Sequence, residues 1–451
     1  MDATTSALVD YALRSKFSML QKDIVHETVR RLIDAFGCAM GAFDAPLCLS
    51  ARNLASDVSG KAKATVWGTN IVTTPEAAAF ANGVMVRYLD ISDTFFGLSR
   101  GHPSDMISAI LAVAEAEHSD GKSVIDAVAL AYNVYCSFCA SVDINSKGWD
   151  QPTYSILGAV AGVAKLMKLT REQFGEAIAL ALAPNMALFQ TRQGDLSAWK
   201  GCAGANASRN AVFAAFIARA GFTGPAAVFE GKGGMMDIVG RFKWSLPERE
   251  QFIAHTHMKP LAVCYHGQSS ILAALELRSR VILNDIAEIK IESYKAAVAM
   301  MGVEENRWLP KTRETADHSM PYCIAIALLD GEITAKSFAE ERFADPAVVS
   351  LMQKVKVSED PKLTDQYPEG APGRVTVRMT GGQVLTHEIR YPAGHARNPM
   401  DDSTLESKFQ DMLSNRMSVG GAKRVLRQLW EFEKFTDVNK AIYLLAHPEQ
   451  A

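Results

Sequence analysis

Between about residues 20 and 220 the chain strings together apolar segments whose hydrophobic positions recur every three or four residues, with small residues crowding the apolar faces, as in GAVAGVAKL and AIALALA. That period belongs to helices. Helices faced with Ala and Gly let their axes approach closely, which suits packing against other helices. The pattern predicts a large, tightly packed helical domain. Residues 24–42 carry apolar positions at helical spacing. Thr74-Pro75-Glu76 sets a capping side chain ahead of a first-turn proline and opens a helix running to about Leu89. Segments 104–117, 123–142, 152–169 and 198–220 continue the series, and Thr170-Arg171-Glu172-Gln173 is a capping box before another Ala/Leu helix.

The texture changes after about residue 257. AEIKIESY and KVKVSE alternate, and RVTVRMT and VLTHEIRY are joined by Gly381-Gly382, a two-residue hairpin signal. Helical pieces such as PYCIAIALLDG lie between them, so this part reads as α+β with a largely antiparallel sheet. STLESKFQDMLS and AKRVLRQLWEF are helical again. At 451 residues the chain is too long for one compact core. The expected division is a helical domain over 1–259, an α+β domain over 260–396, and a return to the helical domain over 397–451.

A formal charge of -3 with 22% charged residues argues against nucleic acid as an obligate partner. No basic run, signal peptide or uninterrupted apolar stretch of membrane length is read, so the expectation is a cytoplasmic protein with no membrane partner. Seven cysteines, an odd and scattered set, do not make a disulfide framework. Cys136 and Cys139 form a C-x-x-C inside an apolar helical pattern and read as core thiols. His255 and His257, with His266 nearby, are a weak ligand set, and neither a metal nor a cofactor is expected. FEGKGGMMD lacks phosphate-loop spacing and reads as a flexible turn.

The stretch RYLDISDTFFGLSRGHPSDMISAILAVAEAE, residues 87–117, crowds Asp90, Asp93, Thr94 and His102 between two helical segments. Asp90 falls at a helix C-terminus, where the macrodipole disfavours an anion, and such violations cluster at functional sites. His102, before Pro103, stands at a helix start that favours a neutral imidazole and an approaching carboxylate. The same residues would also serve as Asx turns and caps. Lys200 beside Trp199 is disfavoured by the dipole at a helix start, though a solvated lysine fits as well. Lys259 shares a short segment with His266 and Gln268, which reads either as site or as linker.

These stretches, with WKGCAGANASRNAVFAAFIARAGFTGPAAVFEG, YHGQSSILAALEL, TADHSMPYCIAIALLDGEIT and NPMDDSTLESKF in order along the chain, resemble the MmgE/PrpD family, closest to its 2-methylcitrate dehydratases. The resemblance implies a mainly α fold: a large helical domain with a smaller inserted α+β lid. It implies a homodimeric enzyme acting on a small carboxylate, here a hydro-lyase dehydrating a 2-hydroxy di- or tricarboxylate such as 2-methylcitrate. A cis-aconitate-type decarboxylase or isomerase, or a catalytically silent dimeric binding protein, are the alternatives. Carried over position by position, Asp90, Thr94, His102, Lys200 and Lys259 fall on the family's active-site positions, and His266 on the histidine of its aromatic-His-x-Gln stretch, here Tyr265-His266-Gly267-Gln268. Asp90, His102, Lys200 and His266 are expected to be catalytic, and Thr94, Lys259 and Gln268, with Asp93 and Arg192, to bind substrate. The decarboxylases carry histidines where this chain has the segment Asp150-Gln151-Pro152 and Cys264, which weakens the decarboxylase reading. Its loop between Thr94 and His102 is also nearer the dehydratase length.

Overall fold

A computed structural model describes residues 1–248 and 251–447 as a mainly helical chain with a small mixed sheet toward its C-terminal part. The capping signals act where the sequence puts them. Thr74 accepts from the Ala77 N–H and Pro75 opens the Pro75–Tyr88 helix, while Thr170 and Gln173 close both halves of a capping box on Arg171–Leu182. The Gly121–Ser141, Pro152–Leu166 and Trp199–Arg219 helices are buried over most of their length. Their small residues set the spacing: a Cβ on Gly162 would sit 3.0 Å from the Ala127 carbonyl oxygen, and one on Gly83 2.9 Å from the Ala205 Cβ. The Gly121–Ser141 helix corrects one expectation, because it is long and apolar enough to cross a membrane. Its most apolar stretch is 89% buried inside the fold, as in the core helix of a helical domain.

Buried apolar side chains gather into two main clusters. The larger spans residues 8–262 and is rejoined by 400–445; the second spans 263–385. The C-terminal helix Asp402–Leu413 lies on Lys22–Gly41, where a Cβ on Gly37 would meet the Phe409 ring at 3.2 Å. Lys408 ties this contact to the neighbouring loop, donating to the Asp34 carboxylate at 2.6 Å and the Ile91 carbonyl at 2.8 Å.

The sheet in the second cluster has the order Val355–Glu359, Ile286–Ser293, Gly373–Met379, Val384–Ile389. Its first pairing is parallel and the other two antiparallel. A parallel pair needs a long crossover, supplied by the helices between the two strands. The glycine hairpin is longer than the two residues predicted. The Met379 N–H donates to the Gln383 carbonyl at 2.8 Å, leaving Thr380, Gly381 and Gly382 in the loop. Gly382 has φ +86°, the left-handed position that closes a three-residue hairpin.

Candidate active site

The Pro75–Tyr88 helix ends at Leu89, and Asp90 then turns the chain with φ +52°. Glycine is the usual occupant of that conformation at a helix end. An aspartate there opposes both the backbone preference and the dipole. Cations offset it. Arg87, one turn earlier, bonds Asp90 Oδ1; Lys200 Nζ lies 2.9 Å from Oδ2; Lys259 Nζ lies 2.5 Å from Oδ1 and 2.7 Å from the Asp90 carbonyl. All four side chains are buried. Burial alone would raise the Asp90 carboxyl, but Arg87, Lys200 and Lys259 together hold it well below the usual carboxylate range. Burial also pulls the Lys259 ammonium down, against the opposing pull of Asp90.

The loop after Asp90 is built to place His102. Thr94 exchanges two backbone hydrogen bonds with His257, both 2.8 Å, and its hydroxyl donates to the Gly101 carbonyl at 2.9 Å. Asp93 Oδ1 accepts from the Ser104 N–H at 2.9 Å, and Oδ2 accepts from the Tyr132 hydroxyl at 2.6 Å. The Asp93 carbonyl lies 2.8 Å from His102 Nδ1. A carbonyl only accepts, so Nδ1 carries the proton and Nε2 keeps a free lone pair. Burial, then Arg87 and Lys259, hold the His102 imidazolium well below the ordinary histidine range. His102 is therefore a neutral imidazole at pH 7, chemically a base. The α-helix proper begins later than predicted, at Ile107, after a 3-10 turn over Pro103–Met106. Behind this turn Asp105 accepts from Gln151 Nε2 at 2.8 Å and abuts Gly204, whose missing Cβ would fall 2.0 Å from its Oδ2. Burial pushes the Asp105 carboxyl up to about 6.

The facing wall comes from the second hydrophobic cluster and the segment leading into it. His266 Nδ1 lies 2.7 Å from the Tyr294 hydroxyl, and its ring stacks on Phe96 with centroids 5.2 Å apart. Burial, then Arg100, keep His266 neutral. His318 is bonded through Nδ1 to Asp317; burial would lower it, but Cys264 and Asp317 reverse that and raise it, against Lys200. Arg192 reaches in with Nε 2.9 Å from Asp150. Tyr265 Oη and His266 Nε2 on this wall, and Arg192 Nη2 from the Phe189–Arg192 turn beside it, are buried polar atoms without a partner. Buried polar groups are rarely left so. Together they mark a cleft shaped for a polar ligand.

Asp90, Asp317 and His318 hold ligand atoms within 4.8 Å of one another, the one such trio among the described residues. Lys200 Nζ already stands among them, 2.9 Å from Asp90, 3.3 Å from Asp317 and 3.4 Å from His318. An ammonium in that position does not fit a metal centre. The histidines at 255 and 257 do not form one with His266 either, since His257 stacks on His395 at 4.2 Å and accepts from the Ala396 N–H.

Of the residues singled out from sequence, Asp90, Thr94, His102, Arg192, Lys259 and His266 line one cleft. Lys200 reaches Asp90 from behind, buried rather than solvated. Asp93 and Gln268 stand outside the lining. The Asp93 carboxylate is spent on Ser104 and Tyr132, and Gln268 Nε2 donates to the Leu261 and Val263 carbonyls at 2.9 and 3.2 Å. Both shape the site's backbone. Arg87, Arg100, Asp317 and His318 were not singled out. Arg87, three residues before Asp90 on one helix face, was the findable one.

Two family models cover the chain: the MmgE/PrpD N-terminal domain over residues 6–245 and the MmgE/PrpD C-terminal domain over 261–431. The chain belongs to the MmgE/PrpD family. Similar members include a 2-methylcitrate dehydratase of Cupriavidus necator, 29% identical over 91% of this chain and 89% of the relative. An alkylcitrate dehydratase of a fungal species is 28% identical over 79% and 77%. A 2-methylcitrate dehydratase of Yarrowia lipolytica, named as mitochondrial, is 25% identical over 94% and 86%.

Proposed function

We propose that this MmgE/PrpD protein is a hydro-lyase that removes water from a 2-hydroxy di- or tricarboxylate such as 2-methylcitrate. The observation that carries the reading is the neutral His102, Nε2 unprotonated, in a cleft ringed by buried cations. Substrate carboxylates dock on Arg192 and Lys259, with Thr94 hydrogen-bonding the substrate. His102 Nε2 takes the carbon-bound proton beside a carboxylate, and the ammonium groups of Lys200 and Lys259 oppose the enolate-like charge that develops. Departure of the hydroxyl needs a proton donor. His318, raised by Cys264 and Asp317, is better suited to that step than His266, which burial keeps neutral. His266 Nε2 is left to hydrogen-bond the leaving oxygen. Asp90 keeps the cations in place.

The decarboxylase reading loses support from Asp150, Gln151 and Cys264 standing on the cleft wall. A silent binding protein has no use for a strained Asp90 among three buried cations. The test is an ultraviolet assay with 2-methylcitrate, citrate and related 2-hydroxy acids. A conjugated alkene should appear. Carbon dioxide release without alkene formation moves the assignment to decarboxylation, and no turnover of any acid removes the enzyme reading. We take the active form to be a cytoplasmic homodimer, to be tested by sedimentation and cell fractionation.

A further inference from the structure

The cleft histidines His102 and His266 are held through Nδ1 by partners of different kind. His102 Nδ1 meets a carbonyl, which only accepts. His266 Nδ1 meets the Tyr294 hydroxyl at 2.7 Å. A hydroxyl donates or accepts, so the surrounding network has to assign the proton. Tyr294 follows the strand Ile286–Ser293 and is fully buried, its ring stacked on Tyr367 with centroids 4.7 Å apart. Among the described residues, His266 Nδ1 is the one hydrogen-bond partner of its hydroxyl. Were Nδ1 to donate, the phenolic proton would be sealed inside the protein with no acceptor, and His266 Nε2 would stay unpaired as well. Were the hydroxyl to donate, only the Nε2–H is left over. Buried polar groups are rarely left unpaired, so the second arrangement prevails. A doubly protonated ring is opposed by burial and by the charges of Arg100, His318 and Lys259.

The ring has little freedom to escape this assignment. His266 sits in the 3-10 turn Tyr265–Gly267 and stacks on Phe96 with planes 19° apart. Phe96 comes from the short hairpin that pairs Phe95–Phe96 with Arg100–Gly101 and leads the chain from Thr94 to His102. The loop that places His102 therefore also packs against the His266 ring. His266 lines the cleft, whereas Tyr294 stands behind the lining.

We propose that Tyr294 is a positioning residue: its hydroxyl donates to His266 Nδ1, fixes the proton on Nε2, and makes His266 a hydrogen-bond donor to a ligand oxygen rather than a second base. The cleft then holds two neutral imidazoles in opposite tautomers, with a lone pair on His102 Nε2 and an N–H on His266 Nε2. Only His102 is set to take a proton from carbon. His266 is set to donate to a hydroxyl or carboxylate oxygen that gains negative charge. This last step rests on the hydro-lyase reading above, and the tautomer does not.

The experiment is a long-range proton–nitrogen correlation spectrum of the full chain with isotope-labelled histidine, at pH 7, on wild type and on Tyr294→Phe. His266→Gln identifies the His266 signals by their loss. In wild type, Nε2 should show the protonated shift and Nδ1 the unprotonated one. Tyr294→Phe keeps the ring and removes the hydroxyl, so the Nδ1–H form should appear at the expense of Nε2–H. With the donor present only part of the time, kcat should fall about 10-fold and KM change far less, short of the ~10²-fold for removing a donor outright. A wild-type proton on Nδ1, or a spectrum that Tyr294→Phe leaves unchanged, overturns the assignment. A shifted tautomer with kcat at the wild-type value overturns the positioning role. If wild type turns over no 2-hydroxy acid, the hydro-lyase reading fails and the tautomer comparison alone decides the proposal. If Tyr294→Phe does not fold, the wild-type spectrum decides it.

Discussion

The Asp90 carboxylate and the Lys200 ammonium meet at 2.9 Å, although each stands at a helix end whose dipole disfavours its charge. Asp90 follows the C-terminus of Pro75–Tyr88, and Lys200 is the second residue of Trp199–Arg219. Two local violations cancel across the junction. Asp90 also serves Arg87 and Lys259, whereas Lys200 serves Asp90, Asp317 and His318. Asp90→Asn leaves three buried cations without their shared anion. Lys200→Met leaves Asp90 two of its three partners. Breaking a buried pair costs about 3–5 kcal/mol. Asp90→Asn should reach the upper end of that range in urea denaturation and Lys200→Met should stay below it, with turnover lost in both. Equal or reversed costs would show that Asp90 is not the hub.

His102→Ala should lower turnover by at least ~10²-fold with the fold intact, the usual scale for a lost general acid or base. Circular dichroism, melting temperature and turnover measured on one preparation separate this from a structural role. Near wild-type turnover in a folded variant removes His102 from the mechanism.

Stability should fall as pH drops below about 6.5. His102, His257 and His266 are held well below the ordinary histidine value by burial, and His395 is lowered to about 4. The unfolded chain binds protons near pH 6.5 that these folded histidines refuse, so each contributes stability that is lost as pH falls through its folded value. His318 works in the opposite sense, since its raised value gives stability present below about pH 6.5 and lost as pH rises through that value. Asp105, its carboxyl pushed up to about 6 by burial, also opposes the fall, so four histidines stand against His318 and Asp105 and set the direction. Melting temperature recorded from pH 7.5 to 4.5 checks it, and a flat or rising profile toward acid contradicts it.

Turnover should survive exhaustive chelation. Among the described residues, the three donors that come close enough to hold an ion already surround Lys200 Nζ. Activity lost with a chelator and restored only by an added metal would overturn this.

The features legible in the sequence are those decided within a few residues. Thr74 and Thr170 cap their helices because cap chemistry acts over one turn, and Asp90 and Lys200 announced themselves by breaking local rules. The facing wall was harder to see. Cys264 and His318 reach the cleft only through tertiary packing, and no spacing along the chain relates them to His102. Asp93 looked like a ligand because it crowds into one loop with Asp90, Thr94 and His102, and Gln268 because it shares a short segment with Lys259 and His266. Whether such a side chain turns to a cleft or to a backbone amide is set by its rotamer, which residue type does not reveal.

The paired backbone bonds between Thr94 and His257 carry a consequence for how such a protein can change over generations. They stitch the loop bearing His102 to the segment that runs through Lys259 into the second hydrophobic cluster. His102 sits on one side of this seam, and Cys264, His266 and His318 on the other. Neither side can drift alone. Exchanging the C-terminal part for that of a relative would leave both cores satisfied and still misalign the chemistry, so inheritance has to keep the two halves matched as one unit.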